Sequence, residues 1–261
     1  MKRYLMSIIA LAAAIFNLAA SELTDRAEKA YRAERYAEAC SLYMQAAEIE
    51  GTSSDLYYNI GNARYRSGDI AQSIIAYERA LRIDPSNADA KANLEFVNAR
   101  IIDKKGEAGS FLYNAFNSIV NSTSSNCWAW IALSLFSLTI GAALLYVFAS
   151  AVILRKVGFF GGIITLLLTI FAIVFSFRAK TIATDSSYAI VTAQTSILST
   201  VPRSPSTHEE EAMLLHEGTK VRILRTLSQS ADSTAQVWHE VAVDDKHRAW
   251  INDSDIEKIV P

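Results

Sequence analysis

Charge is missing from two long stretches of this chain. No Asp, Glu, Lys or Arg occurs from Trp128 to Leu154, and none from Val157 to Phe177. Cysteine is scarce too. Cys40 and Cys127 lie far apart and fit no metal or redox spacing. Cys40 falls among helical positions and is expected as a small buried apolar residue. The formal net charge is only -2, so nothing in the charge balance points to nucleic acid or another polyanion. No phosphate-binding glycine loop, G-x-S-x-G, H-E-x-x-H or paired-cysteine motif is present, and the glycines at 158, 161 and 162 fit no nucleotide fingerprint. All four histidines, His208, His216, His239 and His247, fall near the C-terminus at no zinc spacing. These absences argue against an enzyme, a cofactor and a metal site.

What is present begins with length. Each uncharged run reaches the roughly 20 residues that cross a bilayer core. A buried soluble helix of that length carries a polar face, and these do not. The expectation over 128–177 is two transmembrane helices joined by a tight turn holding Arg155 and Lys156. Trp128, Trp130 and Tyr146 suit the interfaces near the ends of the first helix, and Gly158, Gly161 and Gly162 offer close helix contact.

The first 21 residues read as a signal peptide. Lys2 and Arg3 form a positive start, Tyr4 to Phe16 an apolar core, and Ala19, Ala20 and Ser21 a small-residue end. Cleavage after Ala20 or Ser21 and retention as an anchor both put residue 22 onward across the membrane. Arg155 and Lys156 then lie on the cytoplasmic side, as the positive-inside tendency prefers. Residues 178–261 return to the far side. Arg178 and Lys180 on that side run against the charge rule. The segment 108–127 is a linker, or a short helix with apolar residues at helical spacing. That helix lies in the membrane interface or packs on the preceding domain.

Residues 22–107 carry a helical repeat. Ser54 to Asn87 spans the tetratricopeptide (TPR) period of about 34 residues and resembles that family. Tyr57, Ile60 and Gly61 match its first element, Gly68-Asp69 the turn, and Tyr77, Ala80 and Pro85 the remainder, with Ser73 where Ala is usual. Gly61 and Ala80 let paired helices approach, and Pro85 ends the second helix. A weaker copy precedes it, with Glu34 in place of the turn glycine. A single helix from Ala88 follows as a cap. The resemblance implies a protein-binding surface on the first helix of each repeat. Its candidate contacts are Arg32, Tyr58, Asn62, Tyr65, Arg66, Phe96 and Arg100. Arg32, Arg66 and Arg100 recur once per period. They form either a ladder for an acidic peptide or a set of solvated arginines paired locally.

Beyond Lys180 the pattern turns β-rich. Strands are expected in SYAIVTA, KVRILRT, VWHEVAV and RAWI, with RSPSTHEEEAM as a loop. His216-Glu217-Gly218, Trp238 and Trp250-Ile251 resemble the bacterial SH3-like domain over 181–261, with Ala249 where that family often has glycine. Along VWHEVAV, Val237, His239, Val241 and Val243 share one face. That face is expected inside, which puts Trp238 on the outer side or at a barrel end as a candidate ligand contact.

The fold class is therefore multi-domain: α-helical TPR repeats, a transmembrane hairpin and a C-terminal all-β SH3-like barrel. This order of parts resembles the BatE-type tetratricopeptide membrane proteins of Bacteroides aerotolerance operons. The resemblance implies the inner membrane, with the TPR and SH3-like parts in the periplasm. It also implies partners, namely von Willebrand factor A-domain membrane proteins and a MoxR-type ATPase complex, and a role as a scaffold in aerotolerance. The alternative is a cell-wall anchor or sensor whose SH3-like domain grips peptidoglycan.

Overall fold

The computed structural model describes residues 22–103, 111–229, 236–244 and 246–260. The signal-peptide reading lies outside them. The chain divides into two compact units. One holds the described residues up to 83, then 87–103 and 186–260. The other holds 84–86 and 111–185.

In the first unit, α1 (22–32) and α2 (Tyr36–Glu50) form one helix pair. A second pair is α3 (Ser54–Arg66) with α4 (Ile70–Ile83), and α5 (Ala88–Asn98) follows. Local chemistry sets the boundaries. Ser53 Oγ accepts the Leu56 N–H at 3.1 Å and Asn87 Oδ1 the Ala90 N–H at 2.9 Å, so both N-termini are capped. Gly68 turns the chain at φ 89°, and in the first pair Glu34 takes the same left-handed region at φ 60°. The absent side chain of Gly61 admits the Tyr77 ring, whose Cε1 lies 2.5 Å from where a Cβ would stand. Ser73 is fully buried, and its hydroxyl donates to the Ile70 carbonyl at 2.7 Å. It therefore stands in for alanine at no cost in unmet polarity.

The same unit contains an antiparallel sheet of seven strands in the order β3-β2-β6-β5-β4-β1-β7. The strands are β1 (Tyr188–Val191), β2 (Thr195–Ser199), β3 (Glu211–His216), β4 (Lys220–Gln229), β5 (Gln236–Ala242), β6 (Arg248–Asn252) and β7 (Ile256–Lys258). Four of these were expected. β2 and β7 are short, and β3 starts inside the stretch read as a loop. Its alternation is blurred because Ala212 and Leu214 stay exposed while Leu215 is buried.

β1 is covered on both faces. Ala189 and Val191 point into the sheet's own core with Leu198, Val221, Val241 and Ile251. Ile190 points the other way and joins Ile259 in a core with Ala71, Ile74, Ile75 and Tyr77 of α4. α4 is thus buried nearly all round, with Ala71, Ser73, Ile74, Ile75, Ala76, Tyr77 and Ala80 inside. Through Ile190 and Ile259 the sheet contributes to the core around α4 while keeping its own, so the sheet is not free-standing.

The second unit is α6 (Phe111–Val120), α7 (Ser125–Phe148) and α8 (Val152–Ala183). α7 and α8 are long and apolar enough to cross a membrane, with mean hydropathy 2.2 and 2.5 over their most apolar windows. Thr139 Oγ1 donates to Thr165 Oγ1 at 2.9 Å between them. At Gly158 a Cβ would stand 2.7 Å from the Ala142 carbonyl oxygen, so that glycine permits the crossing; Gly161 has nothing within 4 Å. The turn differs from expectation. It is Ala149-Ser150-Ala151, and Arg155 and Lys156 lie in the first turns of α8. The apolar Val152-Ile153-Leu154 continues the helix through them, and the Arg155 guanidinium sits 5.7 Å from the Tyr146 ring centre.

Candidate protein-interaction site

The site residues expected on the first helices gather around two nodes. At the first, Asn62 Oδ1 on α3 accepts the Tyr77 hydroxyl of α4 and the Asn93 amide of α5, both at 2.8 Å. One side chain therefore ties three helices together. Tyr58 lies against Tyr77, with ring centres 6.3 Å apart. Burial and neighbouring tyrosines push the Tyr77 phenol well above its ordinary pKa, so it remains a donor. Asn62 and Tyr58 thus serve structure as well as surface.

The second node is aromatic and cationic. Tyr65 meets Phe96 edge to face at 5.7 Å. Phe96 is 47% exposed, and the Arg100 guanidinium stacks on its ring at 3.4 Å. On the neighbouring pair Tyr31 meets Tyr36 edge to face at 5.3 Å. Arg66 lies 5.1 Å from the Tyr36 ring centre and donates to the Tyr36 hydroxyl at 2.7 Å. Burial raises the Tyr31 pKa although Arg66 pulls it down.

Each of the three arginines expected as a ladder has its own local partner. Arg32 is 74% exposed on its side chain and pairs with Glu28 one turn away. Arg66 is held by Tyr36, and Arg100 by Phe96, whose carbonyl also accepts from Arg100 Nη1 at 2.9 Å. Among the described residues neither Arg66 nor Arg100 is ion-paired. Arg66 gives Nε and Nη2 to the Tyr36 hydroxyl and Arg100 gives Nη1 to the Phe96 carbonyl, so each guanidinium keeps its remaining N–H donors for an incoming carboxylate.

Behind α4 the unit has a second polar seam, which sequence reasoning missed. Arg79 Nη2 lies 2.9 Å from Glu257 Oε1, and Arg79 also donates to the carbonyls of Ile259 and Lys258 at 2.8 and 3.0 Å. Gln72 donates to the other Glu257 oxygen at 2.5 Å, and Lys220 pairs with Glu78 at 2.6 Å. Asp103 accepts the His216 N–H at 2.6 Å and the Thr219 hydroxyl at 2.8 Å. The turn between β3 and β4 holds Gly218 at φ 85°, and a Cβ there would meet Ile101 at 2.8 Å and Ile74 at 3.0 Å. That glycine is required by the turn and by the close approach. A cleft of about 460 Å³ opens beside this seam, lined by Met44, Ala47 and Ile60 and by the Arg64–Asp69 and Arg79–Glu257 pairs. The signal that was available is α4 itself, whose sequence leaves little polar surface for a solvent face.

Trp238 is not where its face pattern put it. It is 3% exposed, and Trp250 is 6% exposed. Trp238 and His239 alternate along β5 yet both are interior, so both faces of the strand are covered at this point. Alternation marks an outer face only where one side meets water. His239 is held by Thr226 Oγ1 at 2.8 Å and Asp253 Oδ1 at 2.7 Å. Trp238 Nε1 finds no acceptor among the described residues. Among those residues no cluster of three His, Cys, Asp or Glu is placed to hold a metal.

Comparison with known families matches the tetratricopeptide repeat over residues 54–87, the span of α3, α4 and the cap of α5. No curated protein matches the chain.

Proposed function

We propose that this chain is a non-catalytic, membrane-anchored scaffold of the inner membrane whose helical repeats capture a protein partner through an acidic segment. The observation that carries this reading is a pair of arginines with aromatic neighbours and no acidic partner among the described residues, Arg66 on the matched tetratricopeptide repeat and Arg100 just past the helix that follows it. Helical repeats are binding scaffolds, and a planar guanidinium with N–H donors to spare suits a carboxylate.

The hairpin gives the anchor its sidedness. Residues 87–103 and 186–260 belong to one folded unit and share the core around α4. That supports a hairpin with both ends on one side of the bilayer, and the positive start of the chain supports the periplasm as that side. The sheet is read as a bacterial SH3-like domain on its His216-Glu217-Gly218 turn. The partners are those of the BatE-type systems, von Willebrand factor A-domain membrane proteins and a MoxR-type ATPase complex, in aerotolerance or oxidative-stress resistance.

The test is crosslinking and capture from membranes, comparing the native chain with Arg66→Glu/Arg100→Glu. Capture of a partner should be lost while the melting temperature changes little, because exposed cation–π contacts contribute about 0.5–1 kcal/mol each. Unchanged capture overturns the acidic-segment reading. Sedimentation with purified wall sacculi would instead support the peptidoglycan-binding alternative. Burial of Trp238 removes the contact on which that alternative rested.

A further inference from the structure

The outer end of the hairpin is built unlike the rest of it. Ser176 Oγ on α8 donates to the Ser125 carbonyl at 3.0 Å, which sets the start of α7 level with Ser176. Trp128 meets Phe175 edge to face at 5.0 Å, and Phe116 of α6 meets the same ring at 5.6 Å. Trp128 Nε1 donates to the Val120 carbonyl at the end of α6, at 3.1 Å. α6 is thereby pinned across this end, with Val120 fully buried beneath it.

α6 leaves large apolar side chains open beside Ser118: Ile119 is 52% exposed and Phe116 39%. In α7 and α8, Trp130 and Phe177 are exposed at 69% and 70%. From residue 111 to Leu154 the chain has no charged side chain at all. A surface of this kind is continuous with the lipid-facing sides of α7 and α8. Its tryptophan indoles suit the boundary layer between hydrocarbon and water.

Cations appear just above that level. α8 runs 32 residues, about 48 Å, which exceeds the roughly 30 Å hydrocarbon core. Arg178 and Lys180 follow Ser176 by two and four residues, so they stand about 3 and 6 Å above the Ser125 level. Among the described residues no carboxylate pairs with either one. Two residues apart on a helix they point to different sides, so they address a ring of headgroups rather than one pocket.

We propose that α6, the Trp128–Trp130 start of α7 and the outer end of α8 form a collar lying in the bilayer interface, where Arg178 and Lys180 hold anionic phospholipid headgroups. The collar rests on the membrane-anchored reading above. It also accounts for the two basic residues on the side where the charge rule disfavours them. Their charge is matched by lipid rather than by protein.

The experiment uses the full chain in vesicles of phosphatidylcholine with phosphatidylglycerol, on a Cys40→Ser/Cys127→Ser background. Single spin labels are placed through Ile119→Cys and, as a depth reference, Leu138→Cys. The label at 138 should be open to oxygen and closed to a water-soluble nickel chelate. The label at 119 should read at headgroup depth. Spin-labelled phosphatidylglycerol should be held in preference to spin-labelled phosphatidylcholine, and Arg178→Gln/Lys180→Gln should remove that preference without moving the 119 label. If the 138 label is open to the chelate, the membrane-spanning reading itself fails. If 138 is in lipid and 119 is fully open to the chelate, the collar is overturned. If the glutamine variant keeps the preference, the headgroup contact is overturned.

Discussion

Asp103 and His216 are joined twice. The Asp103 carboxylate accepts the His216 backbone N–H at 2.6 Å through Oδ2 and faces the imidazole Nδ1 at 3.1 Å through Oδ1. The residue that ends the helical segment thus closes on the turn that opens β4, with the Thr219 hydroxyl as a third donor.

This contact gives a pH dependence with a defined sign. Burial works to raise the Asp103 pKa, but the hydrogen bonds from His216 and Thr219 outweigh it and hold the carboxyl below its ordinary value. A group with a depressed folded pKa contributes its stability above the unfolded pKa, about 3.9. That stability fades as pH falls through the folded value. Asp103→Asn should cost about 1–3 kcal/mol at neutral pH and flatten the acid limb of the stability curve. Urea melts between pH 3 and pH 7 measure it. A variant with an unaltered acid limb would show that the clasp carries no stability.

Glu34 offers a gain. Its φ of 60° lies where L side chains are strained, and the equivalent position in the next repeat is Gly68 at 89°. The left-handed region costs a non-glycine residue about 1–2 kcal/mol, partly offset by the greater freedom of glycine in the unfolded chain. Glu34→Gly should therefore raise stability by roughly 0.5–1 kcal/mol. Its thermal midpoint should move up, and a drop would mean that Glu34 makes a compensating contact.

Trp238 and Trp250 should behave alike when truncated. Both are interior, so Trp238→Ala and Trp250→Ala should each cost about 3–5 kcal/mol. Trp238→Phe should cost far less, because the indole N–H it removes has no acceptor. Denaturant melts of the three variants, read by both helical and sheet signals, decide it. If Trp238→Ala melts like the native chain, the interior placement of that side chain is wrong.

The helices were legible because their signals are local. Gly61, Gly68, Ser73, Tyr77 and Pro85 each sit where short-range geometry demands them, and α3 and α4 appear over those residues. The apolar runs were equally plain, although the helix break fell at Ala149-Ser150-Ala151 rather than at the charges, since two cations do not end a helix. The sheet was half legible. β1, β4, β5 and β6 carry β-branched and aromatic residues, whereas β7 is three residues long and β3 has weak alternation. The seam was not legible. Glu78, Arg79, Asp103, Lys220 and Glu257 look like ordinary surface charges until the fold pairs partners more than a hundred residues apart. The same distance hid the role of Ile190 and Ile259, which read as routine strand positions.

Ile190 and Ile259 also set a schedule for biosynthesis. The face of α4 that they cover is made early, and its cover comes only after both apolar helices have left the ribosome. At about 5–20 residues per second, the α4 surface around Ile74 and Ile75 waits on the order of ten seconds for β1 and longer for β7. On the membrane-anchored reading proposed above, a chain whose hairpin makes only one crossing strands the sheet on the opposite side. Its helices then keep an uncovered apolar flank, which is what proteases and chaperones recognise. Correct insertion and correct folding are thereby read out by the same contact.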